Sequence, residues 1–239
     1  MKPESLLSQG AEAKIILVES SKKTTSLIQI TPSGVVGGGG DGLSEVVGKK
    51  FILKQRIKKS YRLPEIDDKI RKLRTRNEGK LLEKASKIVN IPKINSIDEK
   101  IKEISMEYID GKKLSSSLDD FSLELQKKIL KQIGNEIGKL HDSQIIHGDL
   151  TTSNMIYVGM GGNFKIYFID FGLGFISNKY EDKAVDIHLL KQALETKHFK
   201  HWEILFEEFS KGYIKSKEGN KVLQRLKEVE KRGRYKDKY

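Results

Sequence analysis

The sequence contains no cysteine, so no thiol chemistry is available to the chain. This absence excludes a disulfide framework, cysteine-ligated zinc, an iron–sulfur cluster held by the chain's own thiolates and a cysteine nucleophile. Long apolar runs are also missing, and the first residues, MKPES, lack the apolar stretch of a signal peptide. We therefore expect a soluble intracellular protein, in the cytoplasm or in the nucleus.

The chain carries an excess of positive charge, and this excess is unevenly distributed. Its 45 basic and 33 acidic residues give a net charge of +12. Residues 49–80 hold 13 basic and 4 acidic side chains, residues 221–238 hold 8 and 3, and the remainder has a net charge of −2. Such focused charge favours a polyanionic partner, which could be a nucleic acid, a nucleotide phosphate or an acidic protein. A bias toward solubility would give the same counts, so composition leaves both interpretations open.

The length of 239 residues fits one domain, or two small lobes around one cleft. Strands are predicted at 11–19, 50–55, 93–97 and 103–108, and a hairpin at 154–158 and 164–169. Helices are predicted from Pro64 to about residue 87, from an N-cap at Ser122, and at 182–195, 202–214 and 219–231. Strands and one helix, followed mostly by helices, indicate an α+β, two-lobed fold.

A segment rich in serine, threonine and glycine, residues 20–48, separates the first two of these strands. It is not a Walker-type phosphate loop, because such a loop ends in Gly-Lys-Ser/Thr, whereas Asp41 and Leu43 flank the last glycine here. We interpret it as a flexible insertion in which residues 27–30 could pair as a short strand. The predicted organisation is an N-lobe at 1–108, a C-lobe at 109–227 and a basic tail at 228–239.

The strongest chemical signal is HGDLTTSN at 147–154, which places Asp149 and Asn154 five residues apart after a helix and before a hairpin. A phosphoryl-transfer site needs a carboxylate to orient or deprotonate the attacking hydroxyl, and an amide oxygen on the metal. Asp170 opens an Asp-Phe-Gly triplet 21 residues after Asp149, where its carboxylate would bind magnesium. Upstream, Lys54 lies on a strand and Glu78 on a helix, and such a pair holds the lysine against the phosphates.

Each of these pieces alone has an ordinary explanation as a solvated charge, a turn cap or a chance triplet. Their order along the chain decides the matter, because each residue lies on the element that a protein-kinase fold requires. His147 could be taken for a metal ligand. Without a second ligand at suitable spacing, it is better interpreted as a structural residue of the catalytic loop.

These residues lie in segments that resemble the small atypical serine/threonine kinase subunit of the KEOPS (EKC) complex, a Bud-type kinase. The resemblance rests on six segments: QGAEA at 9–13, KSYRLP at 59–64, RNE at 76–78, HGDLTTSN at 147–154, EDKAVD at 181–186 and RGR at 232–234. It covers almost the whole chain except the insertion at 20–48. It implies a reduced protein-kinase-like fold with a small β-rich N-lobe and a mostly helical C-lobe.

The resemblance also implies a role for each site residue. Asp149, Lys54 and Glu78 would be catalytic, Asn154 and Asp170 would bind Mg²⁺, and His147 and Asp186 would support the catalytic loop. The residues implied to bind ATP lie in the nucleotide loop, on the strand with the lysine and at the hinge: Gln9, Gly10, Ala11, Glu12, Ala13, Lys54, Met106, Glu107 and Ile109. Arg232 and Arg234 of the tail would contact tRNA or fold back toward the nucleotide.

Two departures from the family pattern matter. Leu63 stands where the family usually has histidine, and the tail continues with Tyr235 and Lys236 rather than with lysine and serine. The second departure weakens any claim of a phosphorylated serine in the tail.

Only eight residues separate Gly172 from Glu181, so the peptide-binding activation segment of ordinary kinases is missing. The resemblance implies an ATP-dependent kinase or ATPase that supports N6-threonylcarbamoyl-adenosine formation in tRNAs reading codons that begin with A. Its partners would be a Kae-type threonylcarbamoyl transferase, other KEOPS subunits and tRNA, and its cofactors ATP and Mg²⁺. The alternative is a pseudokinase that binds tRNA or acts as a scaffold.

Overall fold

The computed structural model describes residues 5–9, 13–20 and 49–233 of the chain. The N-lobe is built on an antiparallel sheet of five strands in the order β1-β2-β3-β5-β4. Its strands are β1 Ser5–Gln9, β2 Ala13–Ser20, β3 Lys49–Arg56, β4 Ile94–Asp98 and β5 Glu103–Glu107. The full-length pairing of β2 with β3 brings together the two ends of the 20–48 segment, because Ser20 lies opposite Lys49.

Helix α1, Pro64–Ala85, is the long helix of the N-lobe. Pro64 begins it, because proline at the first helical position loses no hydrogen bond, and Glu65 and Asp67 complement the positive end of the helix dipole. Its last turns bury Leu81, Leu82 and Ala85 in the core. The helix ends at Ala85, two residues before the predicted limit of about residue 87.

Helix α3, Leu123–Asp142, is the central helix of the C-lobe. The predicted N-cap is confirmed, because the hydroxyl of Ser122 accepts a hydrogen bond from the backbone N–H of Leu125. Four of its five predicted core residues have no exposed surface, namely Ile129, Ile133, Ile137 and Leu140, while Leu125 is half-buried.

Helix α5, Trp202–Tyr213, packs directly on α3. The two backbones approach so closely that a Cβ on Gly134 would lie 2.0 Å from the carbonyl oxygen of Phe209, and one on Gly212 would lie 2.0 Å from that of Lys131. Only glycine fits at these two positions. Each glycine therefore fixes the spacing of the two helices.

The remaining elements of the C-lobe surround the loop that carries the HGDLTTSN motif. They are β6 Lys112–Lys113, α2 Leu114–Ser117, β7 Ile145–Ile146, β8 Met155–Met160, β9 Asn163–Phe168, β10 Phe175–Ile176, α4 Tyr180–Lys197 and α6 Gly219–Gly233. Strands β8 and β9 form the predicted hairpin, and β10 pairs with β7 next to the motif.

The predicted α+β two-lobed fold is confirmed, and the main predicted helices and strands agree with the structure within a few residues. The strand expected at 27–30, the glycine-rich run at 37–42 and the end of the tail lie outside the described residues. Residues 228–233, the beginning of the predicted tail, form the last turns of α6. Within the part of the chain that the structure describes, no helix is long and apolar enough to cross a membrane.

Candidate active site

The cleft between the sheet and the helical lobe contains the predicted lysine–glutamate pair. Lys54 lies on β3 and Glu78 in the middle of α1, and the Nζ atom of Lys54 is 2.5 Å from Oε1 of Glu78. The Lys54 side chain is 7% exposed and that of Glu78 is 1% exposed. Burial disfavours the charged ammonium, but the neighbouring carboxylates of Glu78 and Asp170 outweigh it and raise the pKa of Lys54 above its usual value. Lys54 is therefore a buried cation at neutral pH.

The same ammonium group contacts the Asp-Phe-Gly triplet. Nζ of Lys54 lies 2.8 Å from Oδ1 of Asp170, whose side chain is 47% exposed in the cleft. Asp170 has a positive φ of 62°, a conformation that aspartate tolerates better than most residues. Burial would raise the pKa of Asp170, but the Lys54 ammonium has the opposite effect and the pKa is lowered. Asp170 is thus held as a carboxylate that opens to the cleft.

Asp149 and Asn154 lie together in the loop that precedes β8. The Nδ2 atom of Asn154 donates to the backbone oxygen of Asp149 and to its Oδ2, at 2.9 Å each. The backbone of Asn154 is tied to the approach to the triplet, because its carbonyl oxygen accepts from the N–H of Ile169 at 3.0 Å. With both amide hydrogens donated to Asp149, the amide oxygen of Asn154 is left as an acceptor.

His147 joins this loop to the strand before the triplet. Its Nε2 lies 3.1 Å from the carbonyl oxygen of Ile169, and its Nδ1 lies 3.3 Å from the backbone nitrogen of Asp149. A carbonyl can only accept and an N–H can only donate, so these contacts select the neutral tautomer with hydrogen on Nε2. Burial lowers the pKa of His147 despite the nearby carboxylates, which agrees with a neutral ring. The ring also packs on Phe171, with centroids 4.5 Å apart.

Asp186 fixes the same loop from α4. Its carboxylate accepts the backbone N–H groups of His147 and Gly148, at 2.9 Å each. Nε2 of His141 lies 3.1 Å from it, and Nδ1 of His141 lies 2.8 Å from the hydroxyl of Tyr213. Burial opposes ionisation, but the hydrogen bond and charge of His141 lower the pKa of Asp186. A buried carboxylate therefore anchors two successive amides of the catalytic loop.

The predicted adenine-binding residues lie where the sheet meets the helical lobe. Met106 pairs with both Ile52 and Ile94 and is half-buried, Glu107 ends β5 with its backbone N–H bonded to Lys93, and Ile109 is buried beyond it. Across the sheet, Gln9 ends β1 and the buried Ala13 begins β2. Gly10, Ala11, Glu12 and Arg234 lie outside the described residues.

The predicted tail residue Arg232 lies in the last turn of α6. It pairs at 2.6 Å with Glu181 of α4, and Arg225 contacts the same carboxylate. Nζ of Lys191 lies 2.7 Å from Glu230, which adds a second link between α4 and α6.

The first basic segment, residues 49–80, is only partly at the surface. Lys54 and Arg56 are buried, whereas Lys58, Lys69, Lys72 and Lys80 are exposed. The charge count of residues 49–80 therefore overstates the positive surface that a partner could meet.

Two residues that sequence reasoning did not single out contact the site directly. Arg56 places Nη2 2.5 Å from Oε2 of Glu78, and His141 links Asp186 to Tyr213. The signal for Arg56 was its position two residues after Lys54, which puts both side chains on one face of β3. His141 offered only its place at the end of a helix, which does not distinguish it from a capping residue.

Two sequence comparisons identify the family. A family model of the protein kinase domain matches residues 33–218. The "KEOPS complex subunit Bud32" of Pyrococcus abyssi is 42% identical over 237 residues, which cover 98% of this chain and 97% of that protein. The chain is a member of the Bud32 family of protein kinases.

Other relatives of this Bud32-family chain are longer. Proteins named "Probable bifunctional tRNA threonylcarbamoyladenosine biosynthesis protein" from Methanobrevibacter smithii and Methanococcus vannielii are 39% and 44% identical over 238 and 185 residues. The chain spans 37% and 32% of their lengths.

The Rio2 kinase of Chaetomium thermophilum, solved as an ADP/Mg²⁺-phosphoaspartate complex, superimposes with a TM-score of 0.60 at 13% identity. The match covers 99% of this chain and 71% of Rio2, which shows that the Bud32-family chain has the same kinase fold.

The residues of the cleft fit a magnesium ion that carries ATP. Carboxylate and amide oxygens are the protein ligands that Mg²⁺ prefers, and Asp170 and Asn154 supply one of each. Among the described residues, no three acidic or histidine side chains cluster into a metal site of their own. Mg²⁺ usually takes one or two protein ligands and completes its shell with phosphate and water, so Asp170 and Asn154 would be enough to hold it.

Proposed function

We propose that the chain is an ATP- and Mg²⁺-dependent phosphoryl-transfer enzyme, a serine/threonine-type kinase that works mainly as an ATPase within a KEOPS complex. One observation carries the proposal: the buried ammonium of Lys54 bridges Glu78 and Asp170, at 2.5 Å and 2.8 Å. A scaffold has no need of a buried cation between these two carboxylates. A nucleotide site needs one, because the phosphates bring negative charge into the cleft.

Each residue has a distinct task in this proposal. Lys54, held by Glu78, binds the phosphates, and Asp170 and Asn154 hold Mg²⁺, which neutralises negative charge on them. Asp149 orients the attacking hydroxyl or water and accepts its proton, while the side-chain amide of Asn154 fixes the direction of its carboxylate. His147 and Asp186 hold the loop that carries both groups.

The names of the relatives support the choice of complex. A protein that is 42% identical over nearly its whole length is named a KEOPS subunit, and longer relatives are named for tRNA threonylcarbamoyladenosine biosynthesis. We therefore place this chain beside a Kae-type threonylcarbamoyl transferase, where ATP turnover supports the modification of tRNA. The eight residues between Gly172 and Glu181 leave little platform for a free protein substrate, which favours water or a held partner as acceptor.

Single-turnover hydrolysis of labelled ATP, with and without the transferase partner and tRNA, tests this function. Asp170→Ala should abolish turnover without unfolding the chain, because its side chain is 47% exposed and contributes little to the core. Asp120→Ala, which removes an exposed aspartate remote from the triplet in sequence, is the matched control. Equal hydrolysis by Asp170→Ala and the unchanged chain, in kinase-free preparations, would refute the assignment.

Asp149→Asn separates catalysis from binding. The substitution keeps the size of the side chain and its place beside Asn154 but removes the base. We expect MgATP affinity to stay within about twofold while the single-turnover rate falls by roughly 10²–10⁴-fold. A loss of affinity at an unchanged rate would show that Asp149 binds nucleotide and does not act on the acceptor.

A second candidate function, tRNA binding, is favoured by the basic face of α6, where Lys227, Lys231 and Arg232 are exposed. Phosphate contacts from such residues give an affinity that falls steeply with salt. Truncation after Glu228 should weaken tRNA binding by the assembled complex and lower the salt slope by about 1 for each lysine or arginine that no longer meets a phosphate. Lys211→Gln, which removes an exposed lysine on α5, is a control for a non-specific loss of positive charge. An unchanged slope after truncation would exclude the tail beyond Glu228 as an RNA contact, and unchanged ATP turnover would exclude a tail that folds back on the nucleotide.

A further inference from the structure

The carboxylate of Glu78 is held by two cations from one strand. Side chains two residues apart on a strand point to the same side, so Lys54 and Arg56 of β3 both face α1. Nζ of Lys54 lies 2.5 Å from Oε1 of Glu78, and Nη2 of Arg56 lies 2.5 Å from Oε2. The side chains of Arg56 and Glu78 are 5% and 1% exposed, so both ion pairs are shielded from water.

The two cations differ in their other contacts. Lys54 is shared, because it also pairs with Asp170 at the mouth of the cleft. Within the described part of the chain, Arg56 pairs with no second carboxylate, and its other side-chain contact is the carbonyl oxygen of Arg74, one turn before Glu78 on α1. Arg56 therefore binds α1 at two points, while Lys54 joins α1 to the side of the cleft where the nucleotide is proposed to bind.

We propose that Arg56 is a positioning residue that keeps Glu78 neutralised and α1 in place while the ammonium of Lys54 is shared with nucleotide phosphates. This inference rests on the proposed function, in which Lys54 meets those phosphates. Without a second cation, negative phosphates that draw on Lys54 would leave a buried carboxylate incompletely paired, which is strongly unfavourable. A guanidinium suits this task because it remains charged at every physiological pH and its planar donors match a carboxylate.

The geometry around Gly172 agrees with this arrangement. A Cβ on Gly172 would lie 2.9 Å from Oδ1 of Asp170, 3.4 Å from Nη2 of Arg56 and 3.6 Å from Oε2 of Glu78. The Arg56–Glu78 pair thus packs beside the backbone of the Asp-Phe-Gly triplet. Arg56 thereby contributes to the spacing of α1 and the triplet, which are the two sides of the phosphate site.

Ligand affinities of the full-length chain test the proposal. In Arg56→Met, which removes the charge but keeps much of the side-chain volume, MgATP affinity should fall by at least about tenfold, because Glu78 loses its second cation when phosphates engage Lys54. Adenosine, which has no phosphates, should bind as well as before. A role in folding alone would not distinguish the two ligands. Arg76→Met is the matched control, since Arg76 also forms an ion pair on α1, with Glu99, but at the surface.

The Lys54→Met background sharpens the test. When Lys54 is absent, no cation moves between Glu78 and the phosphates, so adding Arg56→Met should change MgATP affinity less than about twofold. Equal losses in both backgrounds, or equal losses for adenosine and MgATP, would overturn the proposal. If Arg56→Met does not fold, Arg56→Lys, which keeps the charge, replaces it and should retain MgATP affinity within about threefold. A wild-type chain that binds adenosine but not MgATP would instead refute the proposed function, and with it this inference.

Discussion

Within the described residues, the site has one buried carboxylate in each lobe, and the two are held in different ways. Glu78 of the N-lobe is 2% exposed and is neutralised by two cationic side chains, Lys54 and Arg56. Asp186 of the C-lobe is 1% exposed and accepts hydrogen bonds from the backbone N–H groups of His147 and Gly148 and from His141. One carboxylate is thus held by two flexible cationic side chains, and the other by a buried histidine and two backbone dipoles.

The two arrangements suit different tasks. An ammonium on a four-carbon chain can turn toward a ligand, so the N-lobe pair can respond to nucleotide. Backbone amides cannot leave their loop without unfolding it, so Asp186 gives the catalytic loop one fixed shape before any ligand arrives. Comparable burial therefore serves an adjustable contact in one lobe and a preorganised one in the other.

Of the two contacts, the adjustable one should give the larger effect on catalysis when its cation is removed. Lys54→Ala should lower the single-turnover rate by roughly 10²–10³-fold and weaken MgATP binding, because the phosphates lose their protein cation. Lys58→Ala, which removes an exposed lysine just beyond β3, should change neither. Similar losses from both variants would mean that general positive charge, and not the Glu78 pair, attracts the nucleotide.

Asp186→Asn tests the preorganised contact. The amide group must present an N–H to one of the backbone donors, so at least one buried hydrogen bond is lost, and the free energy of unfolding should fall by about 3 kcal/mol. Among the described residues, the Asp182 side chain contacts Ser177, so Asp182→Asn, one turn earlier on α4, should cost less than about 1 kcal/mol. Urea unfolding measures both. Equal stability of the two variants would refute the anchoring role.

The pH dependence of stability should distinguish Asp186 from its asparagine variant. Because its folded-state pKa is lowered, the carboxylate contributes stability that is complete above its unfolded pKa of about 4 and is lost as pH falls through the lower folded value. The difference in unfolding free energy between wild type and Asp186→Asn should therefore shrink as the pH falls below about 4. A difference that grows in that range would contradict this sign.

The smallest effect is expected at a half-buried carboxylate with two arginine partners. Glu181 of α4 contacts Arg225 and Arg232 of α6, yet its side chain is 32% exposed. Glu181→Gln should therefore lower the unfolding free energy by less than about 1 kcal/mol, as measured by thermal unfolding. A larger loss would show that paired cations make this half-buried carboxylate as important as Glu78.

Much of this site could be predicted from the sequence because its residues are fixed by local structure. The loop between a helix and a hairpin places Asp149 next to Asn154, and strand alternation and helix position bring Lys54 to Glu78. The contacts of Arg56, His141 and Tyr213 were not predicted, because these residues belong to no recognised motif and tertiary packing alone selects their partners. Charge counting also overstated the positive surface of residues 49–80, because tertiary packing buries Lys54 and Arg56.

The packing of α3 on α5 has a consequence for how the molecule opens. With Gly134 and Gly212 letting the two backbones touch, no layer of side chains remains at these two positions that could loosen gradually as the helices separate. Opening there must expose the fully buried Ile133, Ile137 and Phe209 together, which couples it to unfolding of the whole lobe. Amide hydrogens in the middle of these helices should consequently exchange with solvent more slowly than those of the five-stranded sheet.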